Sequence, residues 1–175
     1  RDWSSDVCSS DLQPNHPHPK SGRAMHPAYF ETRFYAPLPE EPWPSCAVIL
    51  SAYSTTGQVW SRERNRNADA ELSKVLQSIP SQFLKRLIGY SPTTNHSEPS
   101  WLVDIDFQRG LEIGRRFYQD AIYGVRDGDL FVLRCHRSPD EDLESDPEGF
   151  RFVDRFDQRL DWVQSQTMRE LLERS

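Results

Sequence analysis

The alternation of large and polar residues in AYFETRFYA (28–36) predicts a strand. The four prolines of PLPEEPWPS then break it. CAVILSAY (46–53) is almost continuously apolar over a strand's length, which predicts a central strand covered on both faces. After the turn-rich loop STTGQVW, Ser61 caps a predicted helix over 62–78. Ala68, Leu72, Val75, Leu76 and Ile79 share one face of that helix, and Pro80 ends it. FLKRLIGYS (83–91) fits a strand or a helical extension. SWLVDI (100–105) reads as a short strand, and Asp106 caps a helix in FQRGLEIGRRFYQ (107–119) with Phe107, Leu111, Gly114 and Phe117 in a stripe. AIYGV and LFVLRC form a hairpin through Asp-Gly, whose two residues tolerate positive φ. Phe156, Leu160, Val163 and Leu171 predict a C-terminal amphipathic helix over 150–175.

The expected fold is therefore α+β: a mostly antiparallel sheet of five to six strands, two helices packed on one of its faces, and a C-terminal helix. Residues 28–135 form the single domain. Residues 136–149, with six carboxylates between Asp140 and Glu148, form an acidic linker. Linker and helix together read as an arm that packs on the domain or docks a partner.

The N-terminal residues change the inventory. Arg1–Leu12, RDWSSDVCSSDL, follows no helical or strand period, and it resembles the translation of a common short-read sequencing adapter. On that reading residues 1–12 are an artefact, 13–27 a Pro- and His-rich disordered tail, and Met25 a natural start. The alternating His16 and His18 in that tail could touch a metal. Leaving out Arg1, Asp2, Asp6 and Asp11 takes the formal charge from −6 to −4. A mildly acidic chain is a poor general nucleic-acid binder, and no apolar run has the ~20 residues of a membrane span. Without Cys8, the distant Cys46 and Cys135 give neither metal spacing nor a disulfide framework, so a reducing cytoplasm is the expected compartment.

Several segments in their order resemble an uncharacterised bacterial family, domain of unknown function 3293. They are YFET (29–32), VILSAYS (48–54), SRERNRNADAELSKVL (61–76), EPSWLV (98–103) and LEIGRRFYQDAIY (111–123). The resemblance spans about Tyr29 to Leu133 and implies no reaction. The family pattern has Asn-Pro after the strand-end aromatic, where this chain has Ser54-Thr55. It favours Gly after the helix phenylalanine, where this chain has Tyr118.

Candidate chemistry gathers at element ends. Ser54, Thr55 and Thr56 supply hydroxyls before a helix N-terminus, Gly57 permits close approach, and Arg62 and Arg66 lie one turn apart, a pattern suited to a small anion. The Gly-Lys-Ser/Thr signature of a P-loop is missing. Asn65, Glu98, Arg115, Arg116 and Gln119 match family motif positions and could converge on one pocket. Were that pocket catalytic, in a hydrolase-like enzyme, Glu98 would be the general base, with Asn65 and Gln119 around the substrate and His96 as a second titrating group. Each of these residue types also caps helices and satisfies loop backbone. Asp104 and Asp106 share a strand face that could ligate a hard cation, though Asp106 is explained as a cap. Gly110 and Gly114 let their helix approach the sheet. Cys135-His136 makes an improbable nucleophilic pair, since neighbours on a strand point to opposite faces. No metal, cofactor, nucleic acid or membrane is expected. The leading reading is binding of a small anionic ligand or a protein partner.

Overall fold

The strand β2 (Cys46–Leu50) buries both of its faces, as its apolar run requires: Ala47 and Ile49 enter one hydrophobic cluster, Val48 and Leu50 another. The computed structural model describes residues 25–55, 58–94, 96–135 and 149–174. Around β2 stand α1 (Ala28–Glu31), β1 (Arg33–Pro37), α2 (Arg62–Gln77), β3 (Leu84–Tyr90), β4 (Ser97–Val103) and α3 (Phe107–Arg116). They are followed by β5 (Ala121–Arg126), β6 (Asp129–Arg134), β7 (Phe150–Arg155), β8 (Leu160–Val163) and α4 (Ser165–Arg174). One sheet of eight strands runs β7-β6-β5-β2-β4-β3-β1-β8. Its neighbours pair antiparallel except for β1 and β8, which run parallel.

The α+β class therefore stands, with corrections. Among the described residues the sheet has eight strands rather than five or six, it is mixed, and there are four helices. Residues 28–31, expected to begin the first strand, form the short helix α1. The segment 83–91 resolves as the strand β3. The predicted C-terminal helix is replaced over 150–163 by β7, a 3₁₀ turn (Phe156–Arg159) and β8, and only 165–174 are α-helical. Residues 1–24 and 136–148, including His16, His18 and His136, lie outside the described residues. Of the expected tail, Met25 packs against the core.

The link between β7 and β8 shapes the molecule. These strands are the two edges of the sheet. Eight strands spaced about 4.8 Å apart would span about 34 Å if flat, whereas the chain from Arg155 to Leu160 reaches about 18 Å at most. The sheet must curl to bring its edges together. Its helix-covered face packs Leu72 and Leu76 of α2 and Phe107, Leu111 and Ile113 of α3 against the strands. Its concave face closes on itself around Phe34, Leu87, Leu102, Leu130, Phe156 and Leu160. Trp43 bridges that interior, 5.6 Å from Phe156 and 5.9 Å from Trp162 between ring centroids.

Polar contacts fix the new edge. Arg33 donates from Nε and Nη2 to the two carboxylate oxygens of Asp161, at 2.8 and 3.0 Å, and the Tyr90 hydroxyl donates to the same carboxylate at 2.6 Å. Such a fork is specific in geometry as well as attractive. The Arg33 hydrogen bond holds the Asp161 carboxyl below its usual range, and burial first, then Asp161, pushes the Tyr90 phenol up to about 12. In the β5–β6 hairpin, Asp127 (φ 51°) and Gly128 (φ 81°) both take positive φ, as the primed turn requires.

Candidate functional site

On the concave face, period-2 alternation carries Glu98, Ser100 and Leu102 of β4 inward together. The register aligns Phe34 of β1, Gly89 of β3 and Glu98 of β4 in one row. Gly89 leaves a gap in that row: a Cβ there would lie 3.5 Å from Ser100 Oγ and 3.6 Å from Phe34 Cε1, which is ordinary contact. At this rim the sheet encloses a cavity of about 320 Å³. Phe34, Ile49, Ala121 and Tyr123 form an apolar wall, and Tyr29 of α1 leans over it. Ser51, Ser54, Thr55, His96, Glu98, Ser100 and Gln119 supply the polar side.

Gln119 reaches the cavity through the end of α3. The Gln119 N–H bonds to the Gly114 carbonyl at 2.9 Å and the Tyr118 N–H to the Arg115 carbonyl at 3.1 Å. This is the paired hydrogen bonding of a Schellman motif, in which the residue past the cap turns left-handed. That residue is Tyr118, at φ 58°, where a side chain costs about 1–2 kcal/mol that glycine avoids. Tyr118→Gly is accordingly expected to stabilise the protein by about 1 kcal/mol in chemical denaturation, leaving the cavity as it is. The buried Gln119 amide donates to the carbonyls of Tyr53 (2.9 Å) and Phe117 (3.2 Å), joining the α3 end to the β2 exit.

The β2 exit loop is held in the same way. Asn65 does not line the cavity; its Oδ1 accepts the Ser54 N–H at 3.0 Å, so it positions the loop from the first turn of α2. Thr55 is buried and donates to Asp120 Oδ2 at 2.8 Å. Thr56 and Gly57 fall outside the described residues. Glu98 lines the cavity, with His96 Nε2 3.5 Å from its Oε2, and this contact raises the His96 pKa against the opposing effect of burial.

The four arginines do not line the cavity. Arg62, exposed at the α2 terminus, donates to the Glu173 carbonyl of α4; Arg66 is also exposed. Arg115 donates to the Cys135 carbonyl at 3.1 Å, and Arg116 is exposed with its guanidinium 5.8 Å from the Phe117 ring centroid. The helix terminus that Arg62 and Arg66 were expected to complete is capped by Ser61, whose side chain accepts the Arg64 N–H. Asp104 takes the N–H groups of Gln82 and Phe83, and Asp106 caps α3 through the Arg109 N–H, so backbone accounts for both carboxylates. Cys135 is fully buried, and burial pushes its thiol pKa far up, away from the reactive thiolate. Among the described residues no three His, Cys, Asp or Glu side chains are grouped to hold a metal, and no helix is long and apolar enough to cross a membrane.

Of the cavity-lining residues, Ser54, Thr55, His96, Glu98 and Gln119 are among the candidates named from the sequence, whereas Ser51, Ser100 and Tyr123 are not. For Ser100 and Glu98 the signal was available: counting back by two from the buried Leu102 puts both on the inner face.

Residues 50–122 match the model of a family described as Protein of unknown function (DUF3293). The match falls inside the stretch on which the resemblance was read. It runs from the end of β2 to the start of β5 and contains every polar residue named in the cavity wall above. No curated protein and no solved structure matches the chain.

Proposed function

We propose that the segment matching this family builds a small-molecule binding pocket on the concave face of the sheet. The observation that carries the proposal is the cavity itself. Its volume of about 320 Å³ lies at the lower end of the range for small-ligand sites, and an apolar wall opposed by a few polar groups is their usual make-up. Hydrogen bonds donated by Gln119 and Thr55 and accepted by Asn65 hold the polar side in place before any ligand arrives. The anionic-ligand reading drew on Arg62, Arg66, Arg115 and Arg116. With those side chains outside the cavity, the pocket rather than the helix terminus becomes the site.

A thermal-shift screen of the full chain against chemically diverse small molecules tests this, because a ligand that binds only the native state raises the midpoint. Gly89→Ala is expected to keep the fold and weaken the shift. Gly89→Leu, which fills the cavity, is expected to abolish it. A hit whose shift survives Gly89→Leu binds elsewhere, and survival of every hit's shift rejects the pocket.

A second reading, a hydrolase-like enzyme, is favoured by one observation: Glu98 and His96 form a carboxylate–imidazole pair at the cavity wall. Glu98 would be the general base, with Gln119 beside the substrate and Asn65 positioning the loop. Turnover of a pocket ligand that Glu98→Gln removes without lowering affinity would establish it; turnover unaffected by Glu98→Gln would end it.

A further inference from the structure

Several hydrogen-bond donors of the cavity wall are committed to the protein. The Gln119 amide nitrogen serves two carbonyls, and the Tyr123 hydroxyl donates to the Tyr29 carbonyl at 2.9 Å. Thr32 donates to the Ala28 carbonyl at 3.0 Å and Thr55 to Asp120. Each of these bonds uses a proton and leaves oxygen lone pairs. Glu98, when ionised, adds two acceptor oxygens and a negative charge. Among the described residues no lysine or arginine lines the cavity, and the imidazole nearest to Glu98 is that of the exposed His96.

We infer that the ligand is a donor, specifically a cationic primary amine with a compact apolar body. An ammonium group offers three N–H donors and a charge that the Glu98 carboxylate complements. The apolar body would lie against Phe34, Ile49 and Tyr123. Phe34 and Tyr123 meet edge-to-face, with centroids 5.2 Å apart at 88°, and aromatic faces in this wall also favour a cation over an anion. A carboxylate or phosphate ligand would meet a like charge at Glu98. This assignment rests on the pocket reading given above.

Three probes that share one body and differ in head group test it: 2-phenylethylamine, 2-phenylethanol and phenylacetate, titrated calorimetrically into the full chain. The amine is expected to bind at least about tenfold more tightly than the alcohol, the difference that one charge-assisted hydrogen bond makes, and phenylacetate is expected not to bind. In Glu98→Gln the amine should fall to the level of the alcohol, while thermal stability stays near that of the parent. Equal binding of amine and alcohol, preference for phenylacetate, or an amine preference that survives Glu98→Gln overturns the assignment and leaves the pocket standing. Failure of all three probes also overturns it. The pocket itself falls only if the Gly89 variants leave the shift of every hit in the wider screen unchanged.

Discussion

Deletion of residues 138–175 is expected to leave a chain that does not fold cooperatively at 25 °C. The segment would be dispensable if it were only an acidic arm and a docking helix. It instead supplies both edges of the sheet and buries Phe156, Leu160 and Met168, each 6% exposed or less. Truncating a buried residue of these types to alanine costs about 2–5 kcal/mol, so losing all three approaches the whole stability of an ordinary domain, about 5–15 kcal/mol. The deletion also strips Asp161 from Arg33 and Tyr90 and uncovers the hydrogen-bonding edge of β1. A finer variant separates packing from gross truncation. Phe156→Ala should lower the urea-unfolding free energy by about 3–5 kcal/mol. Phe152→Ala, on an exposed ring (57%) whose main partner is Phe131, should cost under about 1.5 kcal/mol. Equal and small effects would mean that 150–163 does not complete the core.

Gly110→Ala is expected to destabilise the protein although alanine is the better helix former. Helix propensity alone would favour the change by about 1 kcal/mol. Against it, the added Cβ would stand 2.6 Å from Val48 Cγ1 and 3.1 Å from Ile122 Cδ1. Val48 is fully buried at the centre of the sheet and has nowhere to retreat. Overpacking of this kind costs about 1–3 kcal/mol, so the balance falls on the side of loss, by up to about 2 kcal/mol. Val48→Ala removes the methyl in the way. In a double-mutant cycle the pair should therefore show a favourable coupling of about 0.5–3 kcal/mol. A coupling near zero would place the helix farther from β2 than its glycines indicate. Gly114 repeats the contact one turn on, with its Cβ position 2.7 Å from Cys135 Sγ, so the Gly110–Gly114 stripe sets how closely α3 lies on the sheet.

The sequence was most legible where local chemistry decides. Ser61 and Asp106 cap their helices, Asp127-Gly128 turns its hairpin, and the run 46–53 supplies a central strand, because each of these depends on neighbours a few positions away. It was least legible in the last segment. Phe156, Leu160 and Val163 recur at a helical spacing, yet Leu160 and Val163 belong to a four-residue strand whose partner is β1, and Arg33 and Asp161 meet across 128 positions. No local period encodes such a pairing. At the site, Glu98 and Gln119 stood out as polar residues at element ends. The arginines stood out equally, but nearness to a helix terminus along the chain does not say on which side of the sheet that terminus lies. Here α2 covers one face and the cavity opens on the other.

The parallel pairing of β1 with β8 also sets an order of events during synthesis. Residues 50–122 leave the ribosome with the polar wall of the pocket already encoded, while the strand that seats β1 is still some forty residues from being made. Until β8 arrives, β1 presents a free edge, and Phe34 of the cavity wall lacks the Phe156 ring that packs against it. Ligand binding on nascent chains should therefore begin only after residue 163 has cleared the exit tunnel, and a chaperone that shields open sheet edges would have its longest engagement over that interval.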